Sequence, residues 1–377
     1  MLAKIEEALE AMRAGRMLIM VDDEDRENEG DIVAAAQSIT PEQVAFMAKH
    51  ARGLICLALS SDRCDALGLN PMTAHNTAPL GTAFTISVDA RENITTGISA
   101  TDRAVTIRKA ADPVSGPSDF VSPGTIFPLR AAPGGVLVRT GQTEGSVDLA
   151  RLAGLESAAV ICEVLRADGT MMRLPELMEF GKKHDIPVTS VADVVAYRLR
   201  TETFVEEVAK AQLPTDFGPF TVHAFKSTLD DRAHLALVTG DVVPEDPILV
   251  RVHRANFPGD TFAFSKGHGR EDVEEALSQM AEAGKGIFLY LNREEAGSDL
   301  LVSLDKVGKQ MEDVDYLAAA VNDESTMTFR DFGIGAQILR ELGATRLRII
   351  TSSPKRFSGL GGFGLSVEEF VTLPGSE

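Results

Sequence analysis

Asp22-Asp23-Glu24-Asp25-Arg26-Glu27-Asn28-Glu29-Gly30-Asp31 places seven carboxylates in ten residues. Apolar stretches bound the run, 17–21 before it and 32–36 after it. Both ends are therefore tied to a core, and the acids crowd at one end of a sheet. On composition alone such a run reads equally as a solvated charged face. Crowding weighs against that reading, because like charges held close raise one another's pKa unless a cation neutralises them. Hard carboxylate oxygens beside a glycine turn suit Mg2+, which takes one or two carboxylates and keeps waters for exchange with substrate.

Outward from the acidic run, further apolar stretches with strand character lie at 54–59, 83–88, 136–138 and 158–162. Ile5, Leu9 and Met12 fall on one helical face and predict a first helix. Thr40-Pro41-Glu42-Gln43 is a helix start: Thr40 caps, Pro41 suits the first turn, and Gln43 sits three residues after the cap. Residues 175–183 and 191–200 read as two more helices. The mixture predicts an α/β (α+β) domain with a mixed sheet. At 201–218 the character changes to a charged stretch followed by Leu213-Pro214-Thr215 and Phe217-Gly218-Pro219. A boundary near 200–210 divides the chain into domains 1–204 and 205–377. In the second, 220–225, 233–238, 248–252 and 286–291 read as strands, and 271–283 and 332–342 as helices. No internal repeat is evident.

A length of 377 residues fits two domains, given about 100–200 residues per domain. The 44% hydrophobic and 25% charged content is that of a soluble globular protein. No apolar run approaches the roughly 18 residues that cross a bilayer. The acidic, alternating N-terminus does not resemble a secretory signal, so the cytoplasm is expected. A formal charge of −19 argues against nucleic acid or an anionic membrane as partner, since these need a basic footprint. A phosphorylated small substrate needs only one or two local arginines. The three cysteines, Cys56, Cys64 and Cys162, have no C-x-x-C spacing and an odd count, which argues against a disulfide framework.

The acidic run resembles the signature of the 3,4-dihydroxy-2-butanone-4-phosphate synthases, and further matches follow in that family's order. They include Gly53-Leu54-Ile55-Cys56-Leu57, Gly81-Thr82-Ala83-Phe84-Thr85, Thr95 through Arg103 and Phe127-Pro128-Leu129-Arg130. Gly134-Gly135-Val136-Leu137, Asp148 through Gly154, Cys162-Glu163 and Asp168-Gly169-Thr170-Met171 continue the series. The resemblance covers roughly residues 1–200. It implies two Mg2+ (or Mn2+) ions per active site and ribulose 5-phosphate as substrate, converted to 3,4-dihydroxy-2-butanone 4-phosphate and formate in riboflavin biosynthesis. By position, Glu27 would bridge both metals, and Arg26 and Asp31 would touch substrate. Arg139 would grip phosphate as a charge-assisted fork, with Thr140, Gly141, Gln142 and Thr143 alongside it. Glu163 would bind substrate and move protons. A homodimer is also implied.

Two departures matter. Thr125 stands where the family shows a histidine before Ile126-Phe127-Pro128-Leu129, and Gln142 stands where a histidine ligates metal. An amide oxygen still suits Mg2+ and is harder than imidazole. Thr125, assigned to the catalytic set by position, cannot act as a base near neutral pH and only donates or accepts a hydrogen bond. The metal site is therefore expected to survive while proton transfer slows.

The remainder resembles GTP cyclohydrolase II through Leu213-Pro214-Thr215, Arg251-Val252-His253, Gly259-Asp260, Gly286 to Tyr290, Arg330 to Leu339 and Thr351 to Lys355. That family holds zinc with three cysteines, to lower the pKa of an attacking water. Phe257 stands in the first cysteine's place, Lys266-Gly267-His268-Gly269 replaces the other two, and no cysteine follows Cys162. Arg293-Glu294-Glu295-Ala296 departs from the family's Gln-Glu-Gly-Arg loop. Neither zinc nor cyclohydrolase activity is expected, although Arg330, Thr351 and Lys355 persist from the nucleotide site. His253 and His268 lack an evident third metal ligand. Gly359-Leu360-Gly361-Gly362-Phe363-Gly364 matches G-x-G-x-x-G but has no βαβ unit after it. The leading reading is a Mg2+-dependent synthase with a cyclohydrolase-like second domain. The alternatives are a bifunctional riboflavin enzyme that also acts on GTP, or a non-catalytic sugar-phosphate or nucleotide-binding regulator.

Overall fold

Ile5, Leu9 and Met12 lie buried along α1 (Ile5–Arg13), the face their spacing predicts. The computed structural model describes residues 2–23, 26–229, 232–255, 257–262, 269–292, 329–351 and 360–372. It divides into two compact units, Met1–Arg198 and Leu199–Glu377.

In the first unit the chain continues through β1 (Leu18–Val21), β2 (Gly30–Ala35), α2 (Pro41–Phe46), β3 (Cys56–Leu59), α3 (Ser61–Ala66), β4 (Val88–Ala90) and α4 (Ala100–Ala111). Then come β5 (Phe120–Arg130), α5 (Gln142–Leu152), β6 (Ala158–Glu163), α6 (Leu174–His184), β7 (Val188–Ser190) and α7 (Val191–Thr201). The sheet order is β4-β5-β3-β6-β2-β1-β7. Its pairings are mixed: β1–β7 and β3–β5 run parallel, the rest antiparallel. Thr40 caps α2 as expected, accepting the Gln43 N–H at 3.2 Å while Gln43 Oε1 accepts the Thr40 N–H at 3.0 Å.

Strand alternation sorts the side chains onto two faces. Ile19, Ile32, Leu57, Val160 and Cys162 join Val44, Ile107 and Leu177, from α2, α4 and α6, in the main core. Ala58 instead packs with Ala131 and with Val147 of α5. Asp31, Cys56 and Glu163 sit out of phase with the core-facing residues of their own strands, and so lie on the face that α5 covers.

Two expected strands differ. Of residues 136–138, Val136 and Leu137 belong to a short 3-10 turn, Gly135–Leu137, which Val138 caps and which is entered through Gly134 at φ 89° and Gly135 at φ 64°. These left-handed angles turn the chain where an extended run would continue it. The stretch 83–88 forms only isolated bridges, Phe84 to Leu129 and Pro71 to Thr85, before β4 begins at Val88.

In the second unit, β8 (Val205–Thr215), β9 (Gly218–Ser227), β10 (Ala233–Thr239), β11 (Ile248–Arg254), α8 (Phe257–Phe262), α9 (Arg270–Ala283) and β12 (Gly286–Leu291) follow in order. The last elements are α10 (Phe329–Glu341), β13 (Arg346–Ile350) and β14 (Ser366–Val371). The sheet runs β14-β13-β11-β12-β10-β9-β8, antiparallel on the β8 side and parallel from β12 to β14. Much of the stretch 201–218, read from sequence as a change of character, is β8. That strand is exposed along most of its length and so carries no apolar alternation. Among the described residues no helix is long and apolar enough to cross a membrane.

Candidate active site

Asp22 organises the acidic loop. Its buried carboxylate accepts the Glu27 N–H at 3.1 Å, the Glu29 N–H at 2.8 Å and Arg26 Nη1 at 2.7 Å. Asn28 takes a left-handed φ of 55°, a conformation that asparagine tolerates better than most residues. Arg173 donates to the carbonyls of Glu27, at 2.9 Å, and Asn28, fixing the far side of the turn. The loop is thus held by a buried acid and an arginine; Glu24 and Asp25 lie outside the described residues.

Where the loop enters β2, Asp31 is the register partner of Glu163 at the end of β6. Direct antiparallel partners have Cβ atoms about 4.5–5.5 Å apart. Burial pushes the Asp31 carboxyl well above the usual carboxylate range, and Glu163, Glu27, Glu29 and Asp22 push it in the same direction. Burial likewise raises Glu163, with Glu27 adding to it, although Oε2 accepts the Leu54 N–H at 2.8 Å. Glu29 is raised by burial and by Glu27, against Arg173, which lowers it. Cys56 shares this face; burial and the Glu163 and Asp31 charges push its thiol far up, so it stays protonated.

The N-terminus of α5 brings the predicted phosphate residues to the same end of the sheet. A Cβ on Gly141 would stand 2.4 Å from Arg139 Nη1, 2.9 Å from Glu144 Oε2 and 3.0 Å from Arg26 Nη2, so two guanidinium groups converge on this one backbone. Arg139 Nη1 donates to Glu144 Oε2 at 2.7 Å, and Nη2 reaches the Leu80 carbonyl at 3.2 Å and Thr82 Oγ1 at 3.3 Å. Gln142 and Thr143 are buried in the first helical turn, while Thr140 is exposed just before it. Gln142 Oε1 accepts Arg26 Nη1 at 2.9 Å, and Nε2 is buried with no hydrogen-bond partner.

Arg26, Glu27, Asp31, Glu163, Arg139, Gly141, Gln142 and Thr143 therefore gather around one sheet end. Thr125 has other engagements. Its hydroxyl donates toward Asp89 Oδ1 at 2.8 Å and the Gly97 carbonyl at 2.9 Å, and Asp89 also accepts its N–H at 3.0 Å. The sequence reading gave no site role to Asp22, Cys56 or Glu144. The first two stood inside quoted motifs; Glu144, an acid three residues into a helix not foreseen, gave no separate signal.

The donor chemistry fits a hard divalent cation. Asp31, Glu163 and Glu29 are each raised in part by neighbouring carboxylates, and Glu27 is only partly buried. No group of three or more His, Cys, Asp or Glu side chains forms a ready chelate among the described residues.

In the second unit His253 Nε2 lies 2.9 Å from Asp260 Oδ1, and the Tyr290 hydroxyl donates to Asp260 Oδ2 at 2.8 Å. His253 also stacks on Phe288 and Tyr290. Thr351 is buried at the end of β13. The side chain of Arg330, residues 266–268, 293–296 and Lys355 lie outside the described residues, as does the start of the glycine-rich stretch at Gly359.

The 3,4-dihydroxy-2-butanone 4-phosphate synthase family model matches residues 6–197, and the GTP cyclohydrolase II model matches residues 206–372. Riboflavin biosynthesis protein RibBA of Aquifex aeolicus is 49% identical over 98% of this chain and 92% of its own length. That of Bacillus subtilis is 46% identical over 98% and 93%. The crystal structure of RibBX, a two-domain 3,4-dihydroxy-2-butanone 4-phosphate synthase from A. baumannii, superposes with a TM-score of 0.80 at 39% identity, covering 98% of this chain and 99% of that one. A 3,4-dihydroxy-2-butanone 4-phosphate synthase in complex with two magnesium ions matches 53% of this chain and 98% of its own at 43% identity and TM-score 0.51. These findings overturn the expectation that discounted cyclohydrolase activity. It rested on a few ligand positions, whereas residues 206–372 match the GTP cyclohydrolase II family and the RibBA relatives align over both domains. The chain belongs to the riboflavin-biosynthesis proteins that join a 3,4-dihydroxy-2-butanone 4-phosphate synthase domain to a GTP cyclohydrolase II domain.

Proposed function

We propose that residues 1–204 form a Mg2+-dependent synthase that converts ribulose 5-phosphate to 3,4-dihydroxy-2-butanone 4-phosphate and formate, and that 205–377 form the second domain. The observation that carries this reading is the pairing of Asp31 with Glu163 beside the two arginines that converge on Gly141. Arg139 binds the phosphate; its present partner, the Glu144 carboxylate, keeps the guanidinium aimed across the helix N-terminus. Arg26 and the first N–H groups of α5 add positive potential at the same place.

Glu163 takes and returns the proton. Its raised pKa brings the carboxyl closer to neutrality, where a general acid–base group is most effective. Asp31, also raised, helps hold a proton within the pair. The buried Cys56 thiol keeps water from the floor of the site. Thr125 holds Asp89 and the Gly97 carbonyl, and acts by positioning that loop.

Glu27 would supply a carboxylate to the metal and Gln142 its amide oxygen, while Arg26 pairs with Asp22 and Glu27. Mg2+, when bound there, polarises the carbonyl and hydroxyl oxygens of the sugar. Phosphorus NMR tests the reading: with Mg2+, the substrate resonance should give way to that of a new phosphate ester as formate accumulates in equal amount. An unchanged spectrum with folded protein would overturn it.

A further inference from the structure

The motif Asp148 through Gly154 is not used by the chemistry above, yet its first residue is one half of a buried ion pair. Arg198 Nη1, on α7, donates to Asp148 Oδ2 at 2.8 Å, and both side chains are 6% exposed. The same Nη1 donates to the Gly134 carbonyl at 2.7 Å, and the same Oδ2 accepts the Val136 N–H at 2.8 Å. One pair thus grips both sides of the left-handed Gly134-Gly135 turn. A Cβ on Gly135 would stand 2.3 Å from Asp148 Oδ2 and 2.7 Å from Arg198 Nη1, so the turn lies directly against the pair.

The turn continues into Arg139. The Gly135 carbonyl accepts the N–H groups of Val138 at 2.9 Å and Arg139 at 3.1 Å. Glu144, one helical turn before Asp148, holds the Arg139 guanidinium and also accepts the Ala132 N–H at 3.0 Å. Two acids four residues apart on α5 therefore fix the loop 132–141, Glu144 at its start and at the arginine head, Asp148 in the middle. Arg151 adds only a looser contact to Asp148, at 3.7 Å.

Stability alone does not account for the Asp148–Arg198 pair. A buried ion pair is often no more stabilising than an apolar pair of the same size, because both charges lose their hydration. We propose that Asp148 and Arg198 are positioning residues, which set the Arg139 guanidinium where it meets the substrate phosphate. The proposal rests on the reading of Arg139 as the phosphate grip.

Steady-state formate release by the full chain tests it with Arg198→Lys, Arg139→Ala and the double variant. Arg198→Lys should raise KM for ribulose 5-phosphate about tenfold with kcat within about twofold, since a displacement near 1 Å costs up to about a hundredfold. In the Arg139→Ala background it should change KM no further, because the effect is transmitted through that side chain. An unchanged KM in Arg198→Lys, or a full KM penalty that persists without Arg139, overturns the proposal. Asp148→Asn, which keeps shape and removes charge, repeats the test if Arg198→Lys does not fold. If the wild-type chain releases no formate, the proposed function fails instead. Titration with inorganic phosphate then decides the positioning role: phosphate affinity weakened by Arg198→Lys only when Arg139 is present supports it, and equal affinity sinks it.

Discussion

Asp31 and Glu163 face one another directly across β2 and β6, one at the end of the acidic loop and the other at the end of its strand. A buried acid and a partly buried one in that relationship cannot both be ionised without cost. The fold accepts this cost where the sheet meets the loop and α5.

Asp31→Asn should therefore raise the thermal stability of the chelator-treated protein at neutral pH while lowering activity. The folded-state pKa is raised, so the native chain binds the proton more tightly than the unfolded one. Stability then falls as pH rises from the unfolded pKa through the folded one. The variant lacks that loss, so its gain should grow with pH across this window and vanish in acid. Calorimetry over a pH series checks it; a variant less stable than the wild type throughout would contradict the account.

Glu163→Gln keeps the Leu54 N–H acceptor and removes proton transfer. It should lower kcat roughly 100–10,000-fold, the usual worth of a positioned acid–base group, with a much smaller change in KM. A kcat within a few-fold of wild type would move the proton-transfer role elsewhere.

Much of this site was legible in the sequence. The acidic run between two apolar stretches marked where loop and sheet meet, and the resemblance to the synthase family singled out Arg139 and Gln142. The helix that unites them was not read. In α5, Gln142, Thr143, Glu144, Ser146 and Asp148 are all buried, so no apolar stripe marks the helix. β5 was not read either; it holds Pro123, Gly124 and Pro128, residues that usually interrupt a strand. The strand tolerates them because it changes partners along its length, antiparallel to β4 and then parallel to β3. Nor does a sequence reveal a pair such as Asp148 and Arg198, which only the packing of α7 brings together.

Arg139→Ala should raise KM about 10–100-fold, the worth of a hydrogen bond to a charged group, and weaken inhibition by inorganic phosphate in step. If KM rises while phosphate inhibition is unchanged, Arg139 contacts some other part of the substrate.

Gln142→His exchanges an amide oxygen for an imidazole nitrogen and should shift the metal preference from Mg2+ toward Mn2+. Activity ratios with the two metals report this. An identical ratio in variant and wild type would remove Gln142 from the metal site.

Cys56, Cys64 and Cys162 are all buried, with their thiols pushed upward by burial above all. A thiol reagent near pH 8 should label none of them rapidly in the folded protein and all three after denaturation. Fast labelling of Cys56 in the native state would show that the floor of the site is open.

The most direct test of the central claim is formate release from ribulose 5-phosphate with Mg2+, compared with the same protein after chelation and with Glu163→Gln. The account predicts steady release by the wild-type chain, none after chelation, recovery on adding Mg2+ back, and little release from the variant. Release that persists through chelation, or that Glu163→Gln sustains at the wild-type rate, would contradict it.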